Sequence, residues 1–191
     1  MVESDPVLVV AATRFELAWV PAGTPTLVCG VGPVEAAIAV ATGLPRLRPA
    51  AVLHVGIAGA RHRDGRSLGD TVIGLASDYV DLAARLSGLV TRCEPDPGLL
   101  SVARRAVPGA LAVPIATSAA VGGAANAEVE AMEGFGVLRA CAAAGVPALE
   151  VRTVSNWIGE RDRSRWDVPG ALDRLGAAGA AILLALAPGS L

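Results

Sequence analysis

Ala51-Val-Leu-His-Val-Gly-Ile-Ala-Gly59 opens as a strand and closes on a pair of glycines. Its first five residues form a near-continuous apolar run, which marks a strand covered on both faces. Similar runs lie to either side: Val7-Leu-Val-Val-Ala11, Thr26-Leu-Val-Cys29, Asp70-Thr-Val-Ile-Gly74, Leu111 to Ala116 and Ala148 to Val154. Helical stretches separate them. Pro33 suits a first helical turn and Gly43 a stop. Asp96 reads as the cap of a helix to Val107, with Pro97 in its first position. Glu133 to Ala144 is a helix closed by Gly145. Pro169 to Ala187 is the last, with Leu172, Leu175, Ile182, Leu183 and Leu186 on one broad face. Strands alternating with helices predict an α/β fold. The expected form is three-layer α/β/α with a twisted, mixed but mostly parallel central sheet.

Composition bounds the rest. The chain has 191 residues, which fits one domain spanning 1–191. Hydrophobic residues make up 53% of it, enough for a sizeable core, and charged residues only 18%. The net charge of −2 comes without a basic stripe, which argues against nucleic acid or an anionic membrane as partner. Cys29, Cys93 and Cys141 are far apart and form no C-x-x-C pair, so buried reduced thiols in a cytoplasmic protein are expected. The opening Met1 to Pro6 is acidic, and the apolar run behind it is too short for a signal segment. The apolar run Leu175 to Ala187 falls short of the roughly 20 residues of a membrane span. It reads as a buried helix.

Ligands of parallel α/β sheets bind beyond the carboxyl ends of the strands. Thr13-Arg-Phe-Glu16 follows the first strand and Gly56-Ile-Ala-Gly59 the third. Glu130-Ala-Met-Glu-Gly134 precedes a helix, and Ser155-Asn-Trp157 follows the last strand. In a parallel sheet these four segments emerge at one edge and bring two carboxylates, an amide and a glycine turn to one cleft. Singly, each has a plain alternative. Glu16 fits a solvated first turn, Glu133 a helix-start acid, Asn156 a turn, and the glycines a backbone requirement.

In order, the segments carry more. Val7 to Glu16, Cys29-Gly-Val-Gly-Pro-Val-Glu-Ala-Ala37, His54 to Gly59, Leu68-Gly-Asp70, Met132-Glu-Gly134 and Arg152-Thr-Val-Ser-Asn156 resemble successive signatures of one group. It is the methylthioadenosine and adenosylhomocysteine nucleosidases of the purine nucleoside phosphorylase superfamily. Within that group, Glu130 to Cys141 and Ser155 to Trp166 are similar to futalosine hydrolases. The segment Thr117 to Val129 is shorter than that resemblance leads one to expect.

The resemblance implies an N-glycosyl hydrolase that releases hypoxanthine from futalosine in menaquinone biosynthesis. It makes Glu16 the group that activates water, and gives Glu133 and Met132 to the ribose hydroxyls. Arg152 holds those acids in place. Gly56, Ile57, Ala58, Ser155 and Trp157 are assigned to base or substrate. Asn156 is assigned to the purine, where the adenine-releasing relatives carry Asp. An amide donates to O6 of a 6-oxopurine, whereas an ionised Asp faces it lone pair to lone pair. Arg14, Arg161 and Arg163 are candidates for the carboxylate on the futalosine tail. No metal is expected, since His54 and His62 lack ligand spacing, and no cofactor. The partners implied are a small-molecule nucleoside and further copies of the chain, as a homodimer or larger. The alternatives are a methylthioadenosine or adenosylhomocysteine nucleosidase, a phosphorylase, and a nucleoside-binding protein without catalysis.

Overall fold

The computed structural model describes residues 6–63, 65–82, 87–124 and 126–187. The acidic opening segment, 1–5, lies outside them. The strands are β1 (Val7–Ala11), β2 (Thr26–Val28), β3 (Ala51–Ala60), β4 (Thr71–Tyr79), β5 (Arg92–Cys93), β6 (Leu111–Thr117), β7 (Val129–Ala131) and β8 (Ala148–Trp157). The α-helices are α1 (Pro33–Leu47), α2 (Pro97–Ala106), α3 (Gly134–Ala144) and α4 (Val168–Ala185). Single 3-10 turns lie at Phe15–Leu17 and Arg163–Arg165.

The fold is α/β with a mixed sheet, but that sheet closes on itself and is not the plain central layer of the three-layer form expected. β3 pairs with β8, β8 with β4, β4 with β6, β6 with β7, and β7 returns to β3. The strands therefore close a ring, with β1 and β2 extending from β3 and β5 from β4. Three pairings are antiparallel: β3 with β7, β4 with β8, and β4 with β5. Register shifts at Ala58/Gly59 and between Gly74 and Ser77 accompany the closure, as expected where strands bend. An apolar cluster of Ala58, Ala60, Val72, Ile115, Val129, Ala131 and Val154 takes side chains from all five strands of the ring.

Helices cover the sheet on two sides. Ala36, Val40 and Leu44 of α1 and Val137, Leu138 and Cys141 of α3 pack on Leu8, Val10 and Val52. The opposite faces of β1 and β3, through Val9, Ala11, Leu53 and Val55, meet Ala103 of α2 and Leu175 and Ile182 of α4. α1 and α3 approach closely, since a Cβ on Gly136 would fall on the carbonyl of Pro33. α4 is long and apolar enough to cross a membrane by length and composition alone. In this fold it buries Ala171, Leu175, Ala178, Gly179 and Ile182, with the Trp19 ring lying over Gly179. The three cysteines are free and buried.

Three local expectations are corrected. α1 does not stop at Gly43 but continues to Leu47, ending on Arg48 in the left-handed conformation. Gly43 is there for packing: a Cβ would lie 3.2 Å from Leu27 of β2. The Gly56 to Gly59 segment is no turn but part of β3. Its glycines leave room for side chains lying across them. A Cβ on Gly56 would fall on the Arg152 guanidinium and 2.8 Å from Glu16. Likewise Ser155 and Asn156 lie within β8, which continues to Trp157 beside the lengthened β3.

Candidate active site

One cavity of about 570 Å³ opens over the ends of β1, β3, β7 and β8. Its lining includes Glu16, Ile57, Ala58, Met132, Glu133, Ser155 and Asn156. Residues far apart in the chain thus meet on one surface. Glu16 sits on the short turn after β1. The Thr13 backbone N–H and hydroxyl donate to its Oε2 at 2.9 and 2.8 Å, and the Ile57 N–H to its Oε1 at 3.1 Å. The carboxylate is buried and pinned at both oxygens. Glu133 lies just before α3, where its Oε1 accepts from the Gly32 N–H at the start of α1, 3.1 Å away. Gly32 has φ +96°, a conformation open chiefly to glycine.

Arg152 is not on the cavity surface but behind it, with 1% of its surface exposed. Its Nε donates to Glu150 at 2.8 Å, and its Nη2 faces Glu133 at 3.3 Å and His54 Nε2 at 2.6 Å. The Ser77 hydroxyl donates to the other oxygen of Glu150. Arginine only donates, so His54 Nε2 accepts and its Nδ1–H donates to the Val10 carbonyl, 3.1 Å away. Burial, then the adjacent guanidinium, hold His54 well below the ordinary imidazole pKa, so it is neutral. Burial also raises the Glu133 pKa, against the opposing pull of Arg152 and the Gly32 N–H. For Arg152 burial works downward, but Glu150, Glu133 and Glu16 outweigh it and keep the cation charged. The thiol of Cys29 is pushed up to about 12, first by burial and then by Glu133, which makes it inert.

At the opposite end of the cavity the Ser155 hydroxyl lies 2.9 Å from Asn156 Oδ1 and 3.2 Å from the Ala58 carbonyl. Asn156 Nδ2 donates to the Trp157 carbonyl at 3.2 Å. These bonds orient the amide and leave it one further N–H for the cavity.

Besides Arg152, and Arg14, which lines neither the cavity nor the recess beside it, two residues assigned to base or substrate sit elsewhere. Gly56 floors the site beneath Glu16 and Arg152 without lining it. Trp157 packs its ring edge-on to His62, centroids 4.8 Å apart, and beside the apolar cluster of the ring. Sequence reasoning missed Glu130, Val121, Trp166 and Leu172, which line the cavity together with the expected Arg163, and the Glu150–His54–Ser77 support under Arg152. Buried charge in a strand was the available signal for Glu150, since Ala148 to Val154 is otherwise mostly apolar. Among the described residues no cluster of His, Cys, Asp and Glu could hold a metal ion.

A family model described as the phosphorylase superfamily matches residues 6–188. This chain belongs to the phosphorylase superfamily. Among its relatives in that superfamily, a futalosine hydrolase of Streptomyces coelicolor is 35% identical over 181 residues, covering 81% of this chain and 76% of that one. A futalosine hydrolase of Thermus thermophilus is 32% identical over 172 residues, covering 78% and 76%. The fold matches an adenosylhomocysteine nucleosidase of Streptococcus pyogenes, solved with 5-methylthiotubericidin, at a TM-score of 0.85. That match covers 97% of this superfamily member and 98% of the nucleosidase, at 20% identity.

Proposed function

We propose that this chain hydrolyses the N-glycosidic bond of futalosine, releasing hypoxanthine, as a step of menaquinone biosynthesis. The observation that carries this reading is a single cavity lined by Glu16, Glu133 and Asn156, so that an amide faces the same space as the two acids. The similarity to two futalosine hydrolases, over 81% and 78% of this chain, supports it. The chain acts as one nucleosidase domain over 1–191, since the ring draws on strands from both halves of the described chain.

Glycosidic cleavage builds positive charge on the ribosyl carbon and negative charge on the leaving purine. Glu133 takes the ribose hydroxyls, with Met132 beside it. As a buried carboxylate it also stabilises the sugar cation. Arg152, fixed by Glu150 and His54, sets the position of Glu133 without touching substrate. Glu16 accepts the proton of the attacking water. Its two oxygens accept from Thr13 and Ile57, which hold it in place while leaving acceptor capacity for the water. Asn156 donates to O6 of the departing base, and its carbonyl accepts from N7–H once the leaving base has taken up a proton from solvent. Ile57, Ala58 and Ser155 shape the wall against the base.

The cavity continues toward Arg163 and Trp166, and a neighbouring recess is lined by Arg161 and Arg163. Those cations suit the carboxylate of the futalosine tail. The enzyme is assigned to the cytoplasm and to a homo-oligomer. Exposed Phe15 and Val31 at the cavity, with Val34 and Ile38 a turn apart on α1, give a second copy an apolar surface to cover.

The test is base release from futalosine, inosine and methylthioadenosine. Hypoxanthine from futalosine supports the reading. Adenine release from methylthioadenosine alone replaces it with the other nucleosidase activity, and no release with any substrate removes catalysis altogether.

A further inference from the structure

Among the described residues, Glu130 is the one cavity carboxylate with no part in the chemistry above. It is 5% exposed and sits on β7, the short strand that closes the ring. Gly59 of β3 pairs with Glu130 on one side and with Asn156 on the other. The two side chains therefore flank one glycine. A Cβ there would lie 3.1 Å from Asn156 Nδ2 and 3.4 Å from Glu130 Oε1. β7, β3 and β8 thus set a carboxylate acceptor and an amide donor side by side, facing one cavity. Glu130 also accepts the Gly122 N–H at 2.7 Å and the Ala124 N–H at 3.0 Å. An ionised carboxylate has about four lone-pair sites, so capacity remains on each oxygen.

A 6-oxopurine presents a donor and an acceptor side by side, N1–H and O6. A 6-aminopurine reverses both, with N1 accepting and N6–H donating. We propose that Glu130 reads the base together with Asn156, its carboxylate accepting N1–H while the amide donates to O6. This rests on the 6-oxopurine reading above and adds a second determinant to it. Adenine meets a lone-pair clash at N1 and a donor against donor at position 6. Two mismatched polar contacts discriminate far more strongly than one. The bonds to Gly122 and Ala124 give the same carboxylate a second task, holding the Ala120 to Ala124 loop, whose Ala120 and Val121 line the cavity.

The experiment compares kcat/KM for futalosine and its 6-amino counterpart in the wild type and in Glu130→Gln. The glutamine amide can donate to N1 of adenine. The expected result is a drop of at least about tenfold in the futalosine-to-amino ratio. Equal losses on both substrates overturn the proposal and reduce Glu130 to a loop anchor, as does an unchanged ratio. If the wild type itself prefers the 6-amino substrate, the hypoxanthine reading falls and takes this one with it. If the wild type prefers futalosine and only the ratio in the variant stays fixed, Glu130 alone falls. Should the variant not fold, inhibition of the wild type by hypoxanthine and by 1-methylhypoxanthine decides. The methyl group removes the N1 donor, so binding weakens at least about tenfold, and equal inhibition overturns the proposal.

Discussion

An amide at position 156 carries hydrogens that a carboxylate lacks, and Ser155 holds its carbonyl oxygen at 2.9 Å. Asn156→Asp keeps the shape and removes the donor. Loss of that contact and repulsion at O6 cost roughly 1–3 kcal/mol, about 5- to 150-fold in kcat/KM for 6-oxopurine nucleosides. Hypoxanthine release measures it, and unchanged futalosine cleavage removes Asn156 from base recognition. Glu16 behaves differently. Glu16→Gln keeps the shape and one acceptor oxygen, enough for Thr13 or Ile57 but not both, and cannot take a proton. Hydrolysis falls by at least about 100-fold, while substrate binding, read by calorimetry, stays largely intact. Both residues were legible because each lies in a short local motif. Glu130 stood beside Met132-Glu-Gly134 and was passed over, since its neighbourhood with Asn156 exists only through the β7–β3–β8 pairing.

At the scale of the element, β3 is the piece on which the site depends. Its glycines look like turn signals because sequence gives backbone freedom and crowding the same letter. Here crowding decides: Glu16 and Arg152 lie across Gly56, and Asn156 and Glu130 across Gly59. The helix starts were easier to read. Asp96 caps α2 by accepting from the Leu99 N–H at 2.9 Å, and Gly145 ends α3 with φ +68°. Both signals are local, whereas the closure of the sheet hangs on the three-residue strand β7, too short to show a period. Gly56→Ala tests the crowding. Arg152 is clamped by Glu150 and His54 and cannot swing away from the added methyl. The expected cost is about 1–3 kcal/mol in urea denaturation, with activity lost as Glu16 and Arg152 are displaced. Gly109→Ala meets no atom within 4 Å, so its cost stays within about 0.5 kcal/mol. Equal behaviour of the two variants ends the packing account.

Across the whole molecule, the buried ions tie separate parts together. His54 on β3 joins the Val10 carbonyl of β1 to Arg152 of β8, and Arg152 in turn reaches Glu133 at the start of α3. Folding therefore holds His54 neutral at pH values where the unfolded chain protonates it. The sign follows from linkage. Below the ordinary imidazole value of 6.5 the unfolded state binds the extra proton, so this stabilisation is complete above 6.5 and declines as pH falls toward the depressed native value. Glu133 acts in the opposite sense. Its raised pKa lets the native state hold a proton more tightly, so its contribution is lost as pH rises through that value. A difference measurement separates the two. His54→Gln retains a donor for Val10 and an acceptor for Arg152 but does not titrate, and Glu133 is common to both proteins. The stability advantage of the wild type over His54→Gln should shrink by about 1.4 kcal/mol for each pH unit below 6.5. Urea denaturation between about pH 8 and pH 5 reads this directly. A constant gap over that range means that His54 keeps its ordinary titration in the native state, and that the chain linking β1, β8 and α3 is not held by a neutral imidazole.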